Sequence, residues 1–278
     1  MTTTTATTRP APRRRSRGGV RALYAGNAGA VVERGLRATR SGNWVIVLSG
    51  FFEPVFYLLA MGYGLGTFVG DVTMASGETI SYAAFVAPAL LAVSAMNGAV
   101  YDSTWNVFFK MHFGKIYDAM LATSIGPLDV ALGEISYALL RGGVYALGFL
   151  TVMQVMGLNL AWTAFLSLPA LLLVAFGFAS VGMAVTSYMK TFQQMDWINF
   201  VMLPMFLFSA TFYPLTVYPE AVQWFIKALP LWHGVELVRG LTTGELSPAM
   251  WGHVAYFVGM VVLGVAFTTT RLRALFLD

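Results

Sequence analysis

Apolar residues run along this chain in blocks of about twenty, with polar residues collected between the blocks rather than alternating within them. A helix of that length crosses the hydrocarbon core of a bilayer. Six such blocks stand at about 44–66, 82–101, 130–156, 161–187, 197–213 and 250–270, which predicts an all-α integral membrane protein with six transmembrane helices. The fifth is short, contains Pro204 and is followed by Pro214 and Pro219, the pattern of a helix that stops early and continues as non-spanning structure. Irregular backbone at that depth is stable only where protein covers it or where it lines a water-filled cavity.

Three polar regions frame the blocks. Residues 1–20 are Thr-rich and then Pro- and Arg-rich, and are expected to be a disordered basic tail. Residues 21–43 interleave Leu23, Tyr24, Val31, Val32 and Leu36 with arginines, as expected of an amphipathic helix lying on an anionic membrane surface. A twin-arginine export signal fits less well, because the apolar run that follows is too long and lacks a small-residue cleavage site. Residues 102–129 form the sizeable polar interruption in the middle of the chain. They begin with a short amphipathic stretch that sets Val107, Phe108, Met111 and Phe113 against Lys110, His112 and Lys115, and end at Gly126-Pro127, a helix start. Residues 214–249 read as two short helices that form a re-entrant hairpin at the outer surface, with Trp224 and Trp232 suited to the interfacial belt. That hairpin is either an outer gate or a lid that seals the bundle.

Charge sets the orientation. With the N-terminus inside, fourteen Lys and Arg lie on the inner side, and Lys227 and Arg239 alone on the outer side. That bias puts the N-terminus in the cytoplasm, and an even number of spans puts the C-terminus there too. Only 11% of residues are charged, against about 25% in an ordinary soluble domain. The basic excess does not indicate nucleic acid, because nine of the seventeen Lys and Arg precede residue 44, beside a span. The chain has no cysteine, so disulfides, thiolate metal sites and a cysteine nucleophile are excluded.

Charges inside the blocks need a reason, since each costs roughly 2.5 to 3.5 kcal/mol near mid-bilayer on insertion scales. Glu53 precedes Pro54 in the first block; it serves either as a polar lining for a substrate path or subunit contact, or as a hydrogen-bonded carboxyl in a kinked helix. Glu134 and Arg141 are seven residues apart on nearly the same helical face, too distant to pair with each other. Arg141 meets Glu53 or an acidic residue of another helix, or it snorkels while Glu134 sits in the interface. Gly62/Gly66, Ala175/Ala179 and Ala255/Gly259 are small-residue pairs that allow close helix approach, within the chain more readily than between chains. Gly114-Lys115 is not part of a phosphate-cradling loop, because Phe109 stands where the upstream glycine is required. His112, His233 and His253 lack metal-ligand spacing, and no nucleophile elbow or inverted repeat is visible.

Three segments in order carry a resemblance: FFEPVFYLLAMGYGLG in the first block, KIYDAMLATSIGPLDVALGE after the second, and FSATFYPLTVYPEAVQWFIKALPLWHGVELVRGLTTG after the fifth. From about Gly42 to Arg273 the chain resembles a type-2 (type V) ABC exporter permease. Within that group it is most similar to the nodulation lipo-oligosaccharide exporter permeases, with the daunorubicin-exporter permeases more distant. The resemblance implies one transmembrane domain over 44–273 in a bacterial inner membrane. Two permease subunits, identical or related, would bind two copies of a separate ABC ATPase that holds the ATP and Mg, with no cofactor or metal in this chain. It implies docking of Phe108 to Asp118 in a groove of the ATPase, with force transmitted at Phe113, Lys115, Tyr117 and Asp118. Substrate would pass near Glu53, Asn97, Phe206 and Phe212, with Trp224 in the outer gate. The Arg-rich tail has no counterpart in that pattern. The other reading is an ion-coupled carrier with Glu53, Glu134 and Arg141 as its relay, which would work without an ATPase.

Overall fold

A computed structural model describes residues 24–40, 52, 54–74 and 77–276. The basic tail, the start of the first block and Glu53 lie outside the described residues. Helix α1 is Ala28–Arg40 and α2 is Pro54–Val69. A hairpin missing from the all-α expectation follows, β1 (Asp71–Thr73) paired antiparallel with β2 (Thr79–Ser81), Val72 opposite Ile80. Helix α3 is Tyr82–His112, α4 Ile116–Leu121, α5 Pro127–Val155, α6 Trp162–Thr186 and α7 Asp196–Phe208. Helices α8 (Glu220–Ala228) and α9 (Pro230–Thr243) precede α10 (Met250–Phe276).

The centre of the bundle is α3. Its first twenty residues, Tyr82–Tyr101, are apolar on all sides, and all are buried except Asn97 and Tyr101. A helix without a polar face can be covered by protein or by lipid, and here the cover is protein. Helices α2, α5, α6 and α9 surround it, and α10 packs on the outside of α6. Ser81 caps its start, its hydroxyl accepting from the Ala84 N–H at 3.3 Å. Gly62 lets α2 lie on α3 with Ala83 in contact, so that pair packs within the chain, whereas Gly259 on α10 faces open space. Helices α9 and α10 meet through His233 and His253, whose Nδ1 atoms are 2.7 Å apart, with Tyr256 stacked on His233.

Four helices among the described residues, α3, α5, α6 and α10, are long and apolar enough to cross a membrane. The third, fourth and sixth expected spans agree with α5, α6 and α10 to within a few residues, apart from the six-residue extension of α10 at its end. The fifth block, read from its prolines as stopping early, is a helix of 13 residues, about 20 Å at 1.5 Å per residue against a 30 Å hydrocarbon core, and irregular backbone carries the chain on beyond Phe208. The polar stretch 102–129 begins with the expected short helix, Val107–His112, but that helix is continuous with α3, which reaches it through a wide π-type turn, Asp102–Asn106. Asp102, Ser103 and Thr104 are buried there, held by hydrogen bonds to Val100 and by an ion pair described below.

Helix α1 starts at Ala28 rather than near residue 21, and it is fastened to the start of α5. The fully buried Asp129 carboxylate accepts from the Gly126 N–H at 2.8 Å, capping α5, and from the Ala25 and Asn27 N–H groups at 2.8 and 2.9 Å. Val31 then sits on Gly133, where a Cβ would come 2.4 Å from it, closer than any side chain can be. We expect Asp129→Ala to leave three N–H groups without this acceptor at about 1 kcal/mol or more each. The result is a lower melting temperature in detergent and faster proteolysis before residue 40, with Asp129→Asn intermediate; equal proteolysis in all three would contradict this anchoring.

Candidate functional site

Helices α2, α3, α5 and α7 enclose a cleft of about 730 Å³. Asn97, the polar break in α3, lines it together with Tyr57 of α2, Arg141 and Tyr145 of α5, and Asn199 and Phe206 of α7. Aromatic faces alternate there with amides and hydroxyls, a lining that suits a molecule part apolar and part hydrogen-bonding. Three residues singled out from sequence, Asn97, Phe206 and Arg141, thus share one cavity.

Arg141 meets an acidic residue of another helix, Asp102, one of the alternatives read from the sequence, whereas Glu53 lies outside the described residues. Arg141 Nη1 donates to Asp102 Oδ1 at 2.8 Å and its Nε to the Tyr145 hydroxyl at 2.9 Å, while Asn106 donates to the same Asp102 oxygen at 2.8 Å. Further along the same two helices, Lys110 Nζ donates to Glu134 Oε2 at 2.5 Å, with Lys110 over the Tyr137 ring. Glu134 is 5% exposed, so its carboxylate is covered by protein. The pairs run in opposite order, acid then base on α3 and acid then base on the antiparallel α5, so each charge meets its opposite at a single register. A one-turn slip of α3 against α5 separates both pairs.

Beyond Lys110, α3 ends at an elbow. Lys115 adopts the left-handed conformation (φ 44°, ψ 34°), uncommon for a residue with a Cβ, and turns the chain into α4. Phe113, Lys115 and Asp118 are exposed, Phe113 by 68%. Phe108 and Tyr117 are buried, at 1% and 0% exposure, and face into the fold. Phe108 packs with Met189 and Met195 of the segment before α7, where His112 Nε2 also bonds the Met189 carbonyl at 2.9 Å. Tyr117 faces Glu134; burial, then that carboxylate, push its hydroxyl well above the usual phenol range, so it remains protonated. The elbow's inner surface therefore rests on the Lys110–Glu134 pair, leaving its outer surface free.

At the other end of the cleft, α7 stops at Phe208 and Ser209–Phe212 continue as buried irregular backbone. Three side chains take the place of the lost helical hydrogen bonds. Thr211 donates to the Phe206 carbonyl at 2.9 Å, Arg239 Nη2 to the Ala210 carbonyl at 2.8 Å, and Tyr82 to the Phe212 carbonyl at 3.1 Å. Phe212 is buried and stacks edge-on against Phe206, which in turn meets Tyr57. Arg239, counted above as an outer-surface cation, is 4% exposed. Its position on the helical face shared with Val235 and Thr242, both buried, was the available signal. Trp224, on α8, is 74% exposed and away from the cleft lining.

The ABC-2 type transporter family matches residues 28–242, and the chain belongs to that family. It is the membrane component of an ABC transporter. It is 29% identical to nodulation protein J of Rhizobium leguminosarum bv. viciae over 259 residues, 92% of this chain and 98% of the relative. Nodulation protein J of Sinorhizobium fredii is 30% identical over 212 residues, 76% of this chain and 79% of the relative, and that of Rhizobium meliloti 28% over 246, 88% and 92%.

The ion pairs make a double-mutant prediction. Lys110→Met leaves a buried carboxylate unpaired and should lower stability by about 3 to 5 kcal/mol, whereas Lys110→Met with Glu134→Leu should recover most of that loss. Chemical denaturation in detergent measures it; a double variant no better than the single one would show that the pair is not formed.

Proposed function

We propose that this chain is the permease subunit of an ATP-driven ABC exporter that moves an amphiphilic or lipidic substrate, such as a glycolipid, lipo-oligosaccharide or hydrophobic drug, out of the cytoplasm or inner leaflet. Two permease subunits, identical or related, work with two copies of a separate ABC ATPase that binds ATP and Mg, in a bacterial inner membrane with both termini cytoplasmic. The single observation that carries this reading is that one pair of helices, α3 and α5, holds an exposed elbow at one end and lines the cleft further along.

In this mechanism the ATPase grips Phe113, Lys115 and Asp118 from outside the elbow. Phe108 and Tyr117 pass the load inward, Phe108 to the segment before α7 and Tyr117 to Glu134 and α5. Closure of the ATPase dimer then biases the bundle between two arrangements, because ATP interacts differently with each. Substrate passes Glu53, Asn97 and Phe206, with Phe212 closing the outer end and Trp224 in the outer leaflet belt. The carrier reading is weakened by the ion pairs, since Glu134 and Arg141 already hold counterions and are not free to relay a proton.

The test is reconstitution of the chain with its cognate ATPase in proteoliposomes. Replacing Phe113, Lys115 and Asp118 together with alanine should reduce ATP-driven transport about tenfold or more, equivalent to roughly 1.4 kcal/mol of coupling. The melting temperature of the permease alone should stay unchanged, because the three side chains are exposed. Transport driven by a proton gradient without any ATPase would overturn the proposal. In the same system, Asn97→Ala and Phe206→Ala should shift the substrate concentration for half-maximal transport while leaving ATPase binding intact.

A further inference from the structure

We propose that Arg239 is a releasable latch on the outer end of the cleft, holding α7 closed through the turn that follows it; this rests on the exporter reading for its purpose, though not for its existence. Helix α7 is weakly held along its length. Met205 is its one buried residue, and Trp197, Phe200, Val201, Leu203, Leu207 and Phe208 are all exposed. Pro204 in its interior has no N–H to give the residue-200 carbonyl, so the helix is hinged near its middle. What fixes its outer half is the buried turn Ser209–Phe212.

Arg239 holds that turn from α9. One guanidinium donates to the Ala210 carbonyl at 2.8 Å, the Phe85 carbonyl of α3 at 3.4 Å and Glu236 at 2.7 Å, and stacks 4.1 Å from the Phe85 ring centroid. A planar guanidinium holds these acceptors and the Phe85 ring face in one fixed geometry with five donors, whereas an ammonium offers three donors from a single point. The latched turn is also strained. Ala210 stands at φ 55°, a left-handed conformation that favours glycine, so the turn has a built-in tendency to leave this shape when the arginine lets go. A second seat for the cation is present. Glu245 interacts electrostatically with Arg239, and its Oε1 is buried without a hydrogen-bond partner among the described residues. Swinging the guanidinium from Ala210 toward Glu245 keeps the charge paired while freeing the turn, and with it Phe212, which packs on the cleft residue Phe206.

The chain has no cysteine, so Ser209→Cys gives a single thiol within the latched turn. Its labelling by a membrane-impermeant maleimide is followed in membranes, first without ATPase or nucleotide, against Trp224→Cys as an exposed control. With Arg239 intact, Cys at 209 should be protected; Arg239→Lys should raise its labelling rate about tenfold with the control unchanged. Adding Ala210→Gly, which removes the strain, should restore much of the protection. Unchanged labelling in Arg239→Lys would overturn the latch. Should that variant fail to insert, Ala210→Gly alone must lower the labelling rate and Glu245→Gln must lower it further during ATP turnover; equal or faster labelling would overturn it. Faster labelling in Arg239→Lys with no response to ATP in the parent complex would keep the latch and refute the exporter reading instead.

Discussion

Two ion pairs between α3 and α5 hold this structure in register. A charge buried at membrane depth is expensive, so Asp102, Lys110, Glu134 and Arg141 are tolerated only as pairs, and the pairs form at one alignment of the two helices. That alignment has three consequences. It lets α3 continue as a helix past its apolar block, because in the polar turn at Asp102–Asn106 α5 pairs Asp102 while α6 covers Ser103 and Thr104 at Gly182. It presents Arg141 to the cleft with its charge already balanced. It also puts Glu134 beneath Tyr117, so the elbow rests on the same lattice that forms the cleft wall.

The other side of the cleft is built on the opposite plan. Helix α7 lacks both length and burial, and its polar backbone beyond Phe208 is satisfied by side chains from α3, from α9 and from the turn itself rather than by a helical ladder. Side-chain hydrogen bonds can be exchanged one at a time, whereas a ladder is lost cooperatively. In the proposed exporter, the ion-paired wall of α3 and α5 is the rigid side and α7 the side that moves. This division suits alternating exposure of a cleft to the two sides of a membrane, with force entering through the rigid wall.

Much of this was legible in the sequence. Block length and Lys/Arg asymmetry are strong local signals, and α5, α6 and α10 fall close to where they were expected. The early stop of the fifth block followed from its prolines, and the need to cover irregular backbone beyond it followed from the physics of lipid; Arg239, Tyr82 and Thr211 supply that cover. Less legible were features that depend on which helix neighbours which. Asp102 reads as the first residue of a loop until α5 is beside it, and only then does it become the partner of Arg141. Arg239 reads as a surface cation by sidedness counting, which is blind to a helix that turns back into the bundle. Phe108 and Tyr117 share the elbow with Phe113 and Asp118 but face the other way, and what covers them, Met189 and Met195 for Phe108 and Glu134 for Tyr117, comes from other parts of the chain. The short β1–β2 hairpin gave no usable pattern, since three-residue strands are too brief to show alternation.

The central claim is that α3, α5 and the elbow move as one body while α7 moves against them. The most direct measurement uses the cysteine-free chain, carrying pairs of spin labels, in complex with its ATPase with and without a trapped nucleotide. One pair joins exposed Ala122, just after α4, to exposed Val144 on α5, and a second joins Val144 to exposed Leu203 on α7. The account predicts that the first distance distribution is the same in both nucleotide states and that the second shifts. A shift in the first distance with the second unchanged would mean that the elbow moves independently of the cleft wall, and would contradict the account.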